Sequence, residues 1–170
     1  MFKGSGVAIV TPFNQDLSVD YTTLETLLNW HVENQTDAII ITGTTGEATT
    51  LTYEEQLAVI AFTVKVIDKR IPVIAGTGSN NTMHMVTLSR DAEKLGVDGL
   101  LCVTPYYNKA TQEGLYQHFS SVAKAVDIPI ILYDVPARTN VTISVDTLMR
   151  LSAFDNIIGI KDATGDLDHN

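Results

Sequence analysis

The fold of this chain is indicated by the stretch Leu100-Leu101-Cys102-Val103-Thr104-Pro105, in which a continuous apolar run ends abruptly in polar and turn residues. Continuous rather than alternating apolar runs are typical of strands buried on both faces of a parallel sheet. Runs of the same kind recur at Gly6–Val10, Ala38–Ile41, Val73–Ala75, Ile128–Leu132 and Ile157–Ile160. Their spacing of about 30 residues is that of one strand plus one helix, so the chain is predicted to be an α/β protein built from βα units.

Five amphipathic helices are predicted between the six apolar runs. The second opens with a capping-box pattern, in which Thr52 and Glu55 satisfy each other's backbone amides. The others are predicted to start at the polar residues Asp20, Asn80 or Asn81, Thr111 and Ser144. This pattern leaves two architectures open, a doubly wound open sheet or part of a (β/α)8 barrel.

Composition excludes several classes of function. Acidic residues outnumber basic ones 20 to 11, and the net charge of −9 argues against nucleic acid and against an anionic membrane surface. The apolar stretches are too short for a transmembrane helix, and the amino terminus lacks the apolar segment of a signal peptide. The single cysteine, Cys102, is expected to be a buried, inert thiol, which fits a reducing cytoplasmic location.

No metal or cofactor is expected from the sequence. The four histidines lack metal-ligand spacing; they are His31, His84, His118 and His169. The stretch Gly76-Thr77-Gly78 resembles a dinucleotide-binding fingerprint but lacks its third glycine. Nicotinamide binding is therefore set aside.

Polar residues follow the predicted strands at their carboxyl ends, where active sites lie in both architectures. In chain order these are Thr11, Gly43-Thr44-Thr45-Gly46-Glu47, Gly76-Thr77-Gly78, Thr104-Pro105-Tyr106-Tyr107-Asn108, Tyr133 with Arg138, and Lys161. Hydroxyls, glycines, a lysine and an arginine are thus predicted to converge on one edge.

Lys161 is the strongest candidate for a catalytic residue. It follows Ile157-Ile158-Gly159-Ile160, so its amine would lie at the mouth of an apolar strand. Partial removal from water favours the neutral amine, which is the nucleophile for a carbonyl. Tyr133 ends the adjacent strand, and a phenol beside an amine can carry a proton during imine formation. The competing interpretations are a solvated lysine and a core tyrosine with a satisfied hydroxyl.

Three other candidates also have structural alternatives. Gly43-Thr44-Thr45-Gly46 can bind a carboxylate through amides and hydroxyls, or form a tight turn whose threonines cap the next helix. Arg138 can bind a carboxylate through two hydrogen bonds, or be a solvated loop residue. Tyr106-Tyr107 can be a platform at the rim of the site, a substrate contact or an oligomer contact, and the paired aromatics favour an interface.

Four motifs in this chain resemble those of the dihydrodipicolinate synthase family, a branch of the pyruvate-dependent class I aldolases that also include N-acetylneuraminate lyase. They are Gly43–Glu47, Val103–Asn108, Tyr133–Thr139 and Ile160–Gly165, and they occur in order across essentially the whole chain. The resemblance implies a (β/α)8 barrel, which typically needs about 250 residues. Residues 1–170 would then be the N-terminal portion of one barrel domain, with strands seven and eight and any C-terminal helices absent.

The function implied by the resemblance is condensation of pyruvate with L-aspartate 4-semialdehyde to 4-hydroxy-tetrahydrodipicolinate, in lysine and diaminopimelate biosynthesis. The expected enzyme is a lyase that needs no metal or organic cofactor. Lys161 would form the Schiff base with pyruvate, and Tyr133 would be the central proton carrier. Both roles agree with the chemistry argued above from their positions.

The resemblance also implies roles for four further residues. Thr44 would relay protons between Tyr133 and Tyr107, and Thr45 would bind the pyruvate carboxylate. Arg138 would bind the carboxylate of the semialdehyde at the entrance. Tyr107 would reach into the site of a neighbouring subunit, so a homodimer or homotetramer is expected.

Two alternatives stay open at this point. One is a sister aldolase, such as a neuraminate or keto-deoxy-sugar acid lyase, against which Arg138 argues because those enzymes would not bind a carboxylate there. The other is an inactive fragment of the synthase, which the length of the chain favours. Lysine-sensitive members of the family usually carry glutamate at the position of His84, so weak or absent lysine inhibition is predicted.

Overall fold

The computed structural model describes residues 2–166, and the elements below refer to that range. Its strands are β1 (Gly6–Ala8), β2 (Ala38–Ile41), β3 (Val73–Gly76), β4 (Gly99–Val103), β5 (Ile130–Asp134) and β6 (Ile157–Asp162). Its α-helices are α1 (Tyr21–Glu33), α2 (Tyr53–Ile67), α3 (Thr82–Lys94), α4 (Gln112–Ala123), α5 (Pro136–Thr139) and α6 (Val145–Leu151). A 3-10 turn at Ala48–Thr50 precedes α2.

Parallel strands alternate with helices throughout, which confirms the predicted fold class. β1 pairs with β2 and β2 with β3, all parallel. β4 pairs with β5 and β5 with β6 in the same way. This is the arrangement of the first six strands of a (β/α)8 barrel. One helix is additional to the five predicted, the short α5.

The described residues divide into two compact units. The first comprises residues 2–76 and 91–99, and the second comprises residues 77–90 and 100–166. The core of the first is formed by fully buried aliphatic side chains of α1, β2 and α2, namely Leu24, Leu28, Ile39, Ile41, Ile60 and Ile67. The core of the second includes Leu100, Leu115, Phe119, Ile130 and Leu132. Each unit therefore has a buried apolar core of its own.

The predicted helix starts are confirmed by hydrogen bonds. The Thr52 hydroxyl accepts from the Glu55 amide at 3.2 Å, and the Glu55 carboxylate accepts from the Thr52 amide at 2.8 Å, completing the capping box. Asn81 accepts from the His84 amide at 3.1 Å just before α3. The remaining predicted caps, Asp20, Thr111 and Ser144, each accept a backbone N–H of the first turn.

The prediction that all six strands are buried on both faces is wrong for β1 and β6. β3 is buried at every position, but β6 is half-exposed and Gly159 within it is exposed. Within residues 2–166, β6 pairs with β5 alone and β1 with β2 alone. A strand that pairs with one neighbour only leaves part of its surface exposed to water, even when its sequence is apolar.

The ladder between β5 and β6 contains a β-bulge. Ile130 is opposite Ile157, but the next residue of β5, Ile131, is opposite Gly159, so Ile158 is an extra residue in β6. Beyond the bulge Tyr133 is opposite Lys161. The bulge thus sets which residues of the two strand ends face each other.

The single cysteine is buried, as predicted. Cys102 lies 3.6 Å from the hydroxyl of Thr77, and burial raises the pKa of its thiol to about 12. The thiol therefore stays protonated and unreactive at neutral pH. Among residues 2–166, no helix combines the length and the apolar character required to cross a bilayer.

Candidate active site

Tyr133 and Lys161 meet at the carboxyl ends of β5 and β6. They are register partners, and the Lys161 Nζ lies 4.2 Å from the centroid of the Tyr133 ring. Tyr133 is 8% exposed and Lys161 is half-buried. The structure therefore brings together the two residues that the sequence placed on adjacent strand ends.

Two opposing effects act on the Lys161 amine. The face of an aromatic ring attracts an ammonium group and so favours the charged form. Burial removes water from the ammonium, and this desolvation lowers the pKa of Lys161 below its ordinary value. A lowered pKa increases the share of neutral amine, which is the form that adds to a carbonyl.

Arg138 lies in a short segment that follows β5 directly. Pro136 is the first residue of α5, where its missing N–H costs no helix hydrogen bond. The helix ends at Thr139, and the capping residue Asn140 has a φ of +57° and donates its amide to the Pro136 carbonyl. The Arg138 side chain is exposed, so its guanidinium is accessible to a small anionic molecule.

Beneath this segment lies a buried hydrogen-bond network that sequence reasoning missed. The Asp134 Oδ2 accepts the Ile143 amide at 2.8 Å, and the Asp134 carbonyl accepts the Ala163 amide at 2.8 Å. The Thr104 hydroxyl donates to the Thr139 hydroxyl at 3.2 Å. One signal was available in the sequence, because Asp134 is an acidic residue that ends an apolar strand, where burial requires hydrogen bonds to the carboxylate.

Thr44 and Thr45 lie in the first unit, in the loop after β2, and both are exposed. The Thr44 carbonyl accepts the Glu47 amide at 3.1 Å, closing a tight turn. The alternative that these threonines cap the next helix is wrong, because Glu47 occupies the cap of the 3-10 turn and Thr52 caps α2.

Two buried threonines support this loop: Thr11, which the sequence placed at the end of the first strand, and Thr42, which sequence reasoning missed. Thr42 has a φ of +52°, and its hydroxyl lies 3.1 Å from the Gly76 carbonyl that can accept its proton. The Thr11 hydroxyl donates to the Gly46 carbonyl at 2.7 Å. These bonds hold the loop backbone while the Thr44 and Thr45 side chains stay in solvent.

Tyr107 belongs to the second unit and lies on a tight, braced turn. The Asn108 amide donates to the Tyr106 carbonyl at 2.9 Å, and Tyr107 between them has a φ of +72°. The side chains of Asn80 and Asn108 form an amide–amide hydrogen bond at 3.3 Å, and Asn108 also donates to the Asn80 carbonyl at 3.2 Å. The Tyr107 side chain is 91% exposed.

The glycines of Gly76-Thr77-Gly78 have a steric explanation. A Cβ on Gly76 would overlap the carbonyl of Thr42, and a Cβ on Gly78 would overlap the backbone nitrogen of Val103. Close backbone packing accounts for both glycines without a dinucleotide.

Residues 2–166 contain no group of three or more His, Cys, Asp and Glu side chains placed to hold a metal ion. His169 lies outside the described residues. Within the second unit, the candidate site residues are the amine of Lys161, the phenol of Tyr133 and the guanidinium of Arg138.

Comparison with known proteins identifies the relatives of this chain. Residues 1–170 match the model of the dihydrodipicolinate synthetase family. The 4-hydroxy-tetrahydrodipicolinate synthase of Clostridium novyi is 56% identical over 165 residues, which cover 97% of this chain and 55% of that protein. The enzyme of the same name from Neisseria meningitidis serogroup B is 53% identical over 170 residues, covering 100% of this chain and 58% of that protein.

A solved structure shows the same similarity. The chloride-inhibited dihydrodipicolinate synthase from Acinetobacter baumannii, complexed with pyruvate, is 54% identical and superposes with a TM-score of 0.97. The match covers 99% of this chain and 58% of that one. The chain thus spans between 55% and 58% of the length of these three relatives.

Proposed function

The chain belongs to the dihydrodipicolinate synthetase family, and from that premise we propose that it acts in the condensation of pyruvate with L-aspartate 4-semialdehyde. The product is 4-hydroxy-tetrahydrodipicolinate, an intermediate of lysine and diaminopimelate biosynthesis. The observation that carries the proposal is the half-buried Lys161 amine, 4.2 Å from the centroid of the Tyr133 ring. The pyruvate bound to the Acinetobacter baumannii relative supports the choice of the first substrate.

The first half of the reaction uses the Lys161 amine as nucleophile. The neutral amine adds to the keto carbon of pyruvate, and water leaves to give a protonated imine. Tyr133 accepts and returns the protons that move during this addition and dehydration. The imine then draws electrons from the pyruvate methyl group, which loses a proton and becomes the carbon of an enamine.

The second half forms the carbon–carbon bond. The enamine carbon attacks the aldehyde carbon of the semialdehyde, and the aldehyde oxygen takes up a proton to become the hydroxyl of the product. The amino group of the semialdehyde then adds to the imine carbon and displaces the Lys161 amine, which closes the ring. One water is released overall, and the lysine is regenerated.

The remaining residue roles are proposed by resemblance to the family. Thr44 relays protons and Thr45 binds the pyruvate carboxylate, and both hydroxyls are exposed at the end of β2. Arg138 binds the carboxylate of the semialdehyde through its exposed guanidinium. Tyr107 contributes to the site of a second subunit in a homodimer or homotetramer, for which its exposed, braced position is the support. We place the enzyme in the cytoplasm, where the free Cys102 thiol stays reduced.

Borohydride trapping tests the proposal. The 170-residue chain, and the same chain extended to the length of its relatives, are incubated with pyruvate, reduced, and analysed by intact mass and peptide mapping. The expected result is a reduced pyruvate adduct on Lys161 that Lys161→Ala abolishes. Lys124→Ala is the matched control, since Lys124, like Lys161, lies over an aromatic ring, with its Nζ 5.8 Å from the centroid of the Phe154 ring. No adduct on Lys161 in the extended form would refute the mechanism.

A further inference from the structure

Arg138 lies in a stretch of chain that has little stability of its own. The Arg138 segment, residues 135–142, contains only the four-residue helix α5. A single helical turn is far below the length at which a helix is stable in water. The position of Arg138 therefore depends on contacts between this segment and the rest of the second unit.

The Asp134 side chain closes the Arg138 segment. Its Oδ2 accepts the amide of Ile143, the residue that follows the segment, at 2.8 Å. Both residues have an exposed fraction of 0%, so the bond is shielded from water. A carboxylate in such a place is stable only when it accepts hydrogen bonds, which makes this one costly to break.

The backbone of Asp134 also bonds to the end of β6, the strand that carries Lys161. Its carbonyl accepts the Ala163 amide at 2.8 Å, two residues beyond Lys161. Asp134 also follows Tyr133 directly in β5. One residue thus joins the end of β6 through its backbone and the Arg138 segment through its side chain.

A second pair of residues restrains the middle of the segment. Thr139, next to Arg138, is 2% exposed, and its hydroxyl lies 3.0 Å from the Val141 carbonyl that can accept its proton. The Thr104 hydroxyl donates to the Thr139 hydroxyl at 3.2 Å. The Thr104 amide donates to the Tyr133 carbonyl at 2.9 Å, so this path also returns to the catalytic strand end.

We propose that Asp134 is a positioning residue which, together with the Thr104–Thr139 pair, orients Arg138 for the carboxylate of the second substrate. Two-point recognition of a carboxylate requires a guanidinium fork whose base does not move. The side chain of Arg138 is long and exposed, so what the fold restrains is the backbone from which it extends. This role rests on the proposed function for the identity of the ligand, whereas the restraint on the segment can be measured without it.

Amide hydrogen exchange tests the restraint directly in the 170-residue chain. Asp134→Ala should raise the exchange rate of the Ile143 amide, and of peptides spanning residues 135–143, by about tenfold or more, because the Ile143 amide loses the buried acceptor that Asp134 provides. Asp134→Asn keeps an acceptor oxygen and should stay near the wild-type rate. Unchanged protection in Asp134→Ala, or an equal increase over all of α4, would overturn the proposal.

A second variant keeps the test decisive where Asp134→Ala does not fold. Thr139→Val removes the hydroxyl and keeps the shape of the side chain, and it should loosen the same peptides. Thr142→Val, in the same segment, is the matched control and should leave exchange at the wild-type rate. Equal effects of the two threonine variants would count against the Thr104–Thr139 pair.

Steady-state kinetics in the form that traps pyruvate tests the consequence for the substrate. Asp134→Ala should raise the KM for the semialdehyde about tenfold, with the KM for pyruvate nearly unchanged, as expected from one weakened charged contact. In the Arg138→Ala background, Asp134→Ala should have no further effect on the KM for the semialdehyde, because Asp134 acts only through Arg138. Additive effects, or equal changes for both substrates, would contradict the proposal. Absence of any pyruvate adduct in the wild type would instead refute the proposed function and leave the exchange result standing.

Discussion

Lys161 is aligned with Tyr133, rather than with Asp134, because Ile158 is an extra residue in β6. Continued from Ile130 and Ile157 without the bulge, the ladder would place Ile160 opposite Tyr133 and Lys161 opposite Asp134. Successive residues of a strand point to opposite faces, so the amine would then lie on the face away from the phenol. A one-residue insertion in an apolar strand therefore brings the two candidate catalytic groups to the same face.

Deletion of Ile158 should uncouple the two residues. The deletion should move Lys161 out of register with Tyr133 and reduce borohydride-trapped pyruvate at least about tenfold, since misplacement by a single residue reverses the face. Ile158→Ala keeps the bulge and should retain trapping. Circular dichroism of both variants checks that the fold survives. Full trapping in the deletion variant would show that the alignment is unimportant.

The pH dependence of adduct formation should report the desolvated amine. Because burial lowers the pKa of Lys161, its neutral form becomes abundant at a lower pH than for a solvated lysine. The initial rate of adduct formation should therefore rise with pH and level off below pH 10.5, the ordinary value for lysine. Trapping at short times across a pH series measures this midpoint. A midpoint at or above the ordinary value would contradict the effect of burial.

Tyr133→Phe separates the role of the hydroxyl from that of the ring. The ring face that contacts Lys161 remains, but the hydroxyl that would carry the proton is lost. The variant should keep its melting temperature within a few degrees and form the adduct more slowly, while losing on the order of a hundredfold or more in turnover. Tyr133→Ala should lose both the contact and stability, because a side chain with 8% exposure is removed. Unchanged turnover in Tyr133→Phe would exclude a proton-transfer role.

Acidification should destabilise the second unit through His118. Burial lowers the pKa of His118 from 6.5 to about 4 in the folded chain, so between these values the unfolded chain binds the extra proton. Stability is therefore fully present above pH 6.5 and declines toward pH 4, by up to about 3 kcal/mol for this group. Urea unfolding at pH 7 and pH 4.5 should show a smaller loss in His118→Gln than in the wild type. Identical losses would show that His118 does not contribute.

Lysine should inhibit the catalytically active form weakly or not at all. The resemblance to the family implies a lysine site at the positions of Asn80, His84 and Tyr106, and an imidazole attracts an ammonium group far less than a carboxylate does. Titration of lysine against turnover measures the effect. His84→Glu should increase sensitivity, and strong inhibition of the unaltered enzyme would contradict the prediction.

The helix starts and strand positions could be predicted from the sequence because they depend on local patterns. The Thr52–Glu55 capping box and the apolar run Leu100–Val103 each carry their signal within a few residues. The exposure of β6 could not be predicted in this way. Its run of isoleucines looks like that of a fully buried strand, and only the neighbours it has in the fold determine what covers it.

The sequence predicted which residues form the candidate site, but not the register that brings Lys161 opposite Tyr133. Lys161 and Tyr133 were identified because each ends an apolar run, which the order of the chain reveals. The bulge at Ile158 could not be identified, since the run Ile157-Ile158-Gly159-Ile160 is compatible with a ladder that contains the bulge and with one that does not. The bond from Asp134 to Ile143 joins residues nine apart through a buried carboxylate, and no local pattern specifies such a partner.

The backbone at Tyr107 has a consequence for any attempt to stabilise this protein. A bulky residue with a φ of +72° costs on the order of 1–2 kcal/mol relative to glycine. Glycine or asparagine at this turn would therefore raise the melting temperature, and a stability-guided redesign would select it. In the role proposed for Tyr107, thermostability and activity would therefore be in direct competition at position 107.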